Sequence, residues 1–158
     1  MQTYHLKEIN QSDESNLICF FRKNNIPEIT DLFNPFPLNE EIAKKLCRKK
    51  SKDKYYVVNF EDKIIGFSML RGLDEGYDTP SFGILIDKSY QGRGIGRDIT
   101  LQVIEKARKF CKKIRLSIYE DNFIGKGLYE SLGWKEIEKK KSDKRPKINE
   151  LIMMLELK

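Results

Sequence analysis

The chain is 158 residues long, enough for one ordinary domain with a single core and too short for two. Hydrophobic residues make up 39% and charged residues 34%, which excludes a disordered chain, and no apolar run nears the roughly 20 residues that cross a bilayer. The net charge of +6 favours an anionic partner such as nucleic acid, a membrane surface or a polyphosphate cofactor, although runs such as Lys139-Lys140-Lys141 also fit solvated faces.

In chain order, Thr3 to Ile9 alternates and predicts a strand. Ser12 to Asn24 predicts a helix capped by Ser12, with Ser15 in the reciprocal position and Leu17, Ile18, Phe20 and Phe21 on one face. Two prolines make Phe33-Asn34-Pro35-Phe36-Pro37 a loop, after which Asn39 caps a helix from Glu40 to Lys50. Tyr55 to Phe60 and Ile64 to Leu70 form a hairpin about Glu61-Asp62-Lys63. Arg71 to Thr79 is a loop rich in Gly, Asp and Glu, and Pro80 to Asp87 is an apolar strand.

A long helix follows from Gly94 to Phe110, then a strand from Ile114 to Tyr119 and a short helix from Asn122 to Leu132. Trp134 to Glu138 and Asn149 to Leu157 are the last strands, joined by a charged loop through Pro146. The order β-α-α-β-β-β-α-β-α-β-β is mixed α/β but not doubly wound. It predicts one sheet, antiparallel at the front with a parallel crossover in the middle.

The three cysteines, Cys19, Cys47 and Cys111, are far apart and form no Cys-x-x-Cys pair. They read as reduced core or edge thiols. His5 is the one histidine, so ligands for zinc are too few and no metal is expected. The first eight residues lack the apolar stretch of a signal peptide, and a cytoplasmic protein is expected.

The segment that carries chemistry is Gln91-Gly92-Arg93-Gly94-Ile95-Gly96-Arg97. It follows an apolar strand and opens a helix. Glycines at 92, 94 and 96 let the backbone turn tightly and gather N–H groups at the positive end of the helix dipole, a geometry suited to a pyrophosphate. The dinucleotide fingerprint fails, because its sixth position is Arg97, and so does the Walker loop, because no Gly-Lys-Ser/Thr follows. Alone, the segment also fits a structural turn.

Its Gln91, Gly94 and Gly96 resemble the Gln/Arg-x-x-Gly-x-Gly/Ala signature with which the GNAT superfamily of N-acetyltransferases binds acetyl-coenzyme A. A second block, Asn122 to Trp134, resembles the family's Asn followed by a helix bearing Leu-Tyr-Glu-x-Leu-Gly-Phe. It departs at Gly127, usually alanine, and at Trp134, usually phenylalanine. The resemblance is strong over the second half of the chain and rests on element order in the first.

The resemblance implies a GNAT-like fold over residues 1–158. Its sheet is central and mostly antiparallel, a bulge splays the fourth and fifth strands, and about four helices flank it. It implies acetyl-coenzyme A as donor, held by Ile84, Leu85 and Ile86 on the fourth strand, by the amides of Gly92, Arg93, Gly94, Ile95, Gly96 and Arg97, and by Gln91, Asn122 and Tyr129. The Ile84 N–H would polarise the thioester carbonyl, and Tyr129 would protonate the leaving thiolate. The residues themselves also fit a core tyrosine at 129 and a helix cap at 122.

The glutamate that many relatives carry at the start of the fourth strand is missing, since that region reads Thr79-Pro80-Ser81. Asp78, Glu75 or Asp74 would then serve as base through water, or simply form the turn. The resemblance implies direct attack by the amine in a ternary complex. The implied acceptor is a small-molecule or peptide amine: a small amine or amino sugar or, alternatively, a protein N-terminus or lysine. The enzyme would be a monomer or homodimer, with nucleic acid and membrane not expected. The segments expected to shape the acceptor site run from Ile26 to Pro37, Arg71 to Pro80 and Lys139 to Lys147. There Phe33, Phe36 and Tyr77 are candidates for aromatic walls beside the carboxylates, suiting an amino sugar or polyamine-like amine, or for the core. A non-catalytic coenzyme A sensor is the alternative of another class.

Overall fold

The structure is a computed structural model that describes residues 3–157. Seven strands form one sheet in the order β1-β2-β3-β4-β5-β7-β6. The strands are β1 (His5–Glu8), β2 (Lys54–Phe60), β3 (Lys63–Arg71), β4 (Ser81–Ile86), β5 (Lys113–Tyr119), β6 (Lys135–Lys141) and β7 (Asn149–Glu156). The helices are α1 (Glu14–Asn24), α2 (Pro27–Thr30), α3 (Glu40–Arg48), α4 (Ile95–Ala107) and α5 (Phe123–Ser131). Every neighbouring pair is antiparallel except β4 and β5, which are parallel. The helix α4 makes the crossover between them.

Alternation along the strands sorts side chains onto two faces. On one, Val57, Phe67, Met69 and Leu85 pack against Leu17, Phe20 and Phe21 of α1 and Ala43 and Cys47 of α3. On the other, Leu70, Phe82, Ile86, Leu116 and Met153 pack against Ile95, Ile99 and Val103 of α4 and Tyr129 of α5. Each fully buried large side chain contributes roughly 1.5–3 kcal/mol. Because α1 to α3 cover only the β1–β4 half of their face, the β5–β7 half of that face carries no helix.

Several boundaries differ from the sequence expectation. Asn10, not Ser12, caps the first helical turn: its side chain accepts from the Ser12 amide, and Asp13 accepts from the Asn10 amide at 2.9 Å. This reciprocal cap closes a 3-10 turn ahead of α1. Pro27 at a first helical position starts the short α2, in a segment the sequence analysis did not assign. The strand β6 runs on through Lys139–Lys141, which pair with Leu151, Glu150 and Asn149. Lysines suit this strand because it lies at the sheet edge, where charge discourages pairing with another chain.

Candidate active site

The sheet is open at one place. The strand β4 pairs with β3 along its whole length without a register shift, and β5 likewise with β7. Between β4 and β5 a single pair stands, Ser81 opposite Arg115, with the Arg115 amide donating to the Pro80 carbonyl at 3.0 Å. Beyond it the strands part. The expected splay is therefore present, but no bulge interrupts the β3–β4 ladder.

Backbone alternation decides which β4 groups face the gap. The Asp87 amide donates to Ile65 of β3 at 2.8 Å, so the odd-numbered residues 81, 83, 85 and 87 spend their backbone groups on β3. Phe82, Ile84 and Ile86 turn theirs the other way. The bond from the Gln91 side chain to the Ile86 carbonyl, at 3.0 Å, confirms the direction.

A cavity of about 210 Å³ fills the gap, lined by Phe82, Ile84, Gln91, Ser117, Asn122 and Tyr129 among others. It also touches Ile29 and Leu32 on the α1–α3 side, so it passes through the sheet. There it meets a larger cavity of about 820 Å³ above the uncovered half of the sheet. Phe33, Phe82, Gly83, Ser117 and Ile118 line both.

At the other mouth, the loop before α4 turns through Gly92 at φ 76° and Gly94 at φ 81°, a left-handed conformation that strains any residue with a Cβ. Among the described residues the amides of residues 92–97 have no backbone acceptor; the first such bond runs from Asp98 to Gly94. A Cβ built at Gly92 or Gly94 would meet nothing within 4 Å, so the concave side of the loop is open. Free amides, an open approach and a helix N-terminus fit a diphosphate, and the gap beside it fits a narrow arm running into the sheet.

Residues 19–134 match the Acetyltransferase (GNAT) family. This chain belongs to that family. Within it, the Bacillus subtilis (strain 168) spermine/spermidine N(1)-acetyltransferase is 30% identical over 103 residues, covering 57% of this chain and 67% of that protein. Two solved structures share the fold. The acetyltransferase of the GNAT family from Streptococcus pneumoniae has a TM-score of 0.79 at 16% identity over 99% of this chain and 100% of its own. The spermidine N-acetyltransferase from Vibrio cholerae in complex with CoA and spermine has a TM-score of 0.78 at 19% identity, over 98% and 95%. The chain is thus an acetyl-coenzyme A-dependent N-acetyltransferase of GNAT fold, and no helix among the described residues is long and apolar enough to cross a membrane.

Within this GNAT site, Tyr129 lies in the gap, packed between Phe82 (ring centroids 6.2 Å) and Trp134 (5.6 Å). Burial holds its phenol protonated far above the ordinary tyrosine range. Its hydroxyl has no hydrogen-bond partner among the described residues. The ring is thus both a core ring and a wall of the cavity. Asn122 also has two roles: its side chain accepts from the Gly125 amide at 3.0 Å as a helix cap, and it lines the gap.

The signature side chains brace the loop. Gln91 holds the end of β4, Arg93 donates to the Ser89 carbonyl at 3.0 Å and stacks on Tyr90, and Arg97 donates to Ser131 of α5 at 2.9 Å. The Ile95 side chain is core. Leu85 lines the gap, but its backbone groups belong to the β3 ladder. Asp87, 2% exposed, anchors the loop's start to α1. It accepts from Ser89 N at 2.8 Å, Lys23 Nζ at 3.0 Å and Asn24 Nδ2 at 3.3 Å. Burial opposes its ionisation, but these donors prevail and hold its carboxyl below the usual range.

Glu75 and Asp78 stand exposed on the rim of the larger cavity. Asp74 turns away to Ser51 and to the Lys52 amide at 2.7 Å, which removes it from the candidate bases. Phe36 packs against the core, tilted on Phe21 and edge-on to Phe67, while Phe33 packs on Phe67 and lines both cavities. Sequence reasoning placed Arg71 in a segment expected to shape the acceptor site but missed Ser81, Arg115, Tyr119 and Glu150, all on the larger cavity. Arg115, Ser117 and Tyr119 alternate with apolar Ile114, Leu116 and Ile118, and this pattern was the available signal.

Proposed function

We propose that this chain transfers the acetyl group of acetyl-coenzyme A directly to the primary amine of a small-molecule acceptor, with both substrates bound together. One observation supports this reading: the gap between β4 and β5 passes through the sheet, from Gln91 at the start of the glycine loop to a large cavity on the other face. A donor and an acceptor entering from opposite faces meet at Ile84 without either leaving.

The donor supplies a thioester already activated toward amines. The amides of residues 92–97 hold its diphosphate. The Ile84 N–H, turned from β3, is placed to receive the negative charge that grows on the reacting carbonyl oxygen, and a preplaced donor of this kind supplies about 3 kcal/mol. The new N–C bond forms as the C–S bond breaks. Tyr129 gives its proton to the departing sulfur, which its raised pKa permits at neutral pH. The acceptor must shed a proton, and four carboxylates line its cavity: Glu75, Asp78, Asp143 and Glu150. Glu150 alone among them is half-buried, and it has no partner among the described residues.

A small acceptor fits the enclosure. The Lys144 ammonium donates to the Asn34 carbonyl, tying the loop after β6 to the loop after α2 across the cavity edge. Asn34 in turn donates to the Tyr119 hydroxyl at 2.9 Å. The Bacillus subtilis relative, by name a spermine/spermidine acetyltransferase, supports a small amine over a protein chain. Thiol release with a panel of amines tests the reaction, and mass spectrometry identifies the product. Initial rates that give intersecting lines when both substrates are varied support direct transfer; parallel lines exclude it.

A further inference from the structure

We propose that the acceptor carries an anionic group, a carboxylate, beside its reactive amine, and that Arg71 and Arg115 bind it. The inference rests on the acyl-transfer reading above and narrows the acceptor to amino-carboxylates. Arg71 of β3, Ser81 of β4 and Arg115 of β5 form one row across the sheet, each opposite the next in register. Opposed residues of paired strands point to the same face, and all three line the larger cavity. The two arginine backbones lie about 10 Å apart, at twice the strand spacing, with the serine hydroxyl between them.

Neither arginine is matched by a carboxylate. Arg71 is held by neutral groups only: the Pro35 carbonyl at 3.4 Å, the Tyr55 hydroxyl and the Phe36 ring at 5.3 Å. Arg115 has no side-chain partner among the described residues. Both are half-buried. Two guanidinium groups on one cavity floor repel each other, and partial burial weakens the screening that water supplies. A bound carboxylate relieves both costs, and the planar fork of arginine suits it. The half-buried carboxylate of the cavity does not take this place. Glu150 faces Tyr119, four residues along β5 from Arg115, which is about 13 Å.

The row also has the right height. Ser81 is three residues before Ile84 on the same strand, about 10 Å from the reacting level. The arginine side chains shorten that interval, so an amine at Ile84 and a carboxylate on the arginines fit within one short molecule. A polyamine has no group for this row and meets two positive charges there.

The test pairs each ω-amino acid from glycine to 6-aminohexanoate with its primary amide, and adds spermidine. With the wild-type enzyme, at least one acid should exceed its amide in kcat/KM by about tenfold or more, the effect of a charged hydrogen bond. In Arg115→Gln that acid-to-amide ratio should fall toward one, chiefly through the acceptor KM, and Arg115→Lys should restore part of it. Amides or spermidine equalling the acids throughout the series would overturn the proposal. Failure of acyl transfer itself looks different: no amine releases thiol. Calorimetric titration of the same pairs then decides the subsite alone. Tighter binding of the acid supports it, and equal binding or none refutes it.

Discussion

Ser81 and Arg115 form the one bridge between β4 and β5 among the described residues, and the gap that exposes Ile84 lies wholly on one side of it. Toward the C-terminal ends of both strands the sheet opens. The gap exposes the backbone of Ile84, admits the ring of Tyr129 from α5 and joins the two cavities. The expected consequences concern the parts that make this passage work.

Tyr129→Phe keeps the ring packing against Phe82 and Trp134 and removes the proton. Turnover should fall about 10²–10⁴-fold, the usual worth of a positioned acid. Donor affinity should change much less. Steady-state kinetics beside calorimetric titration of coenzyme A separates the two, and normal turnover in the variant removes Tyr129 from the reaction.

The same tyrosine should shape alkaline stability. Burial raises the folded-state pKa of Tyr129 above the ordinary 10.0, and raises Tyr56 to about 12. Both groups favour the folded state while the unfolded chain also keeps its protons. That contribution is complete below pH about 10 and is lost as the pH climbs toward the folded values. Urea unfolding from pH 8 to 11 should show stability declining at the upper end. Tyr129→Phe should decline less steeply than wild type.

Gly94→Ala distinguishes a ligand seat from a structural turn. The added Cβ meets nothing of the protein within 4 Å, so the free protein bears only the strain of a positive φ, about 1–2 kcal/mol. In the diphosphate seat, the methyl group lies where the ligand must sit. Coenzyme A affinity should fall by more than tenfold while the melting temperature drops by only a few degrees. Unchanged affinity would place the diphosphate elsewhere.

Asp87→Ala strips three donors of their acceptor and leaves Asn24 buried without it. Loss of a buried charge network costs about 3–5 kcal/mol, and the start of the diphosphate loop loses its tie to α1. The donor KM should rise more than kcat falls. In wild type, the depressed carboxyl stabilises the fold above the ordinary aspartate range, and the benefit goes as pH falls through the lower folded pKa. Acid unfolding of the variant should therefore be shallower, and a parallel acid profile argues against the network.

The proposed donor half of the site was legible because it is local. Gln91 to Arg97 are consecutive, and the turn-plus-helix geometry they form needs nothing from the rest of the chain except a strand before it. Asn122 to Trp134 likewise form one short helix and its exit. The same locality misled at Ser12, where a nearer competitor, Asn10 with Asp13, captured the cap. The β6 lysines were read as a loop because an exposed edge strand has no apolar side to announce it.

The loops around the proposed acceptor cavity, at 26–37, 71–80 and 139–147, were legible, but its strand residues were not, because they meet only through pairing. Arg71, Ser81 and Arg115 span 44 positions of chain and become neighbours only when β3, β4 and β5 take their register. Asn34, Tyr119 and Lys144 join from three separate loops and strands. The sequence alone determined most of the elements, the family and the glycine loop proposed to seat the diphosphate, since helical periodicity and glycine torsions are properties of adjacent residues. The tertiary structure alone decided where the sheet opens and which charges face each other across the cavity, since strand register joins residues that no local pattern links.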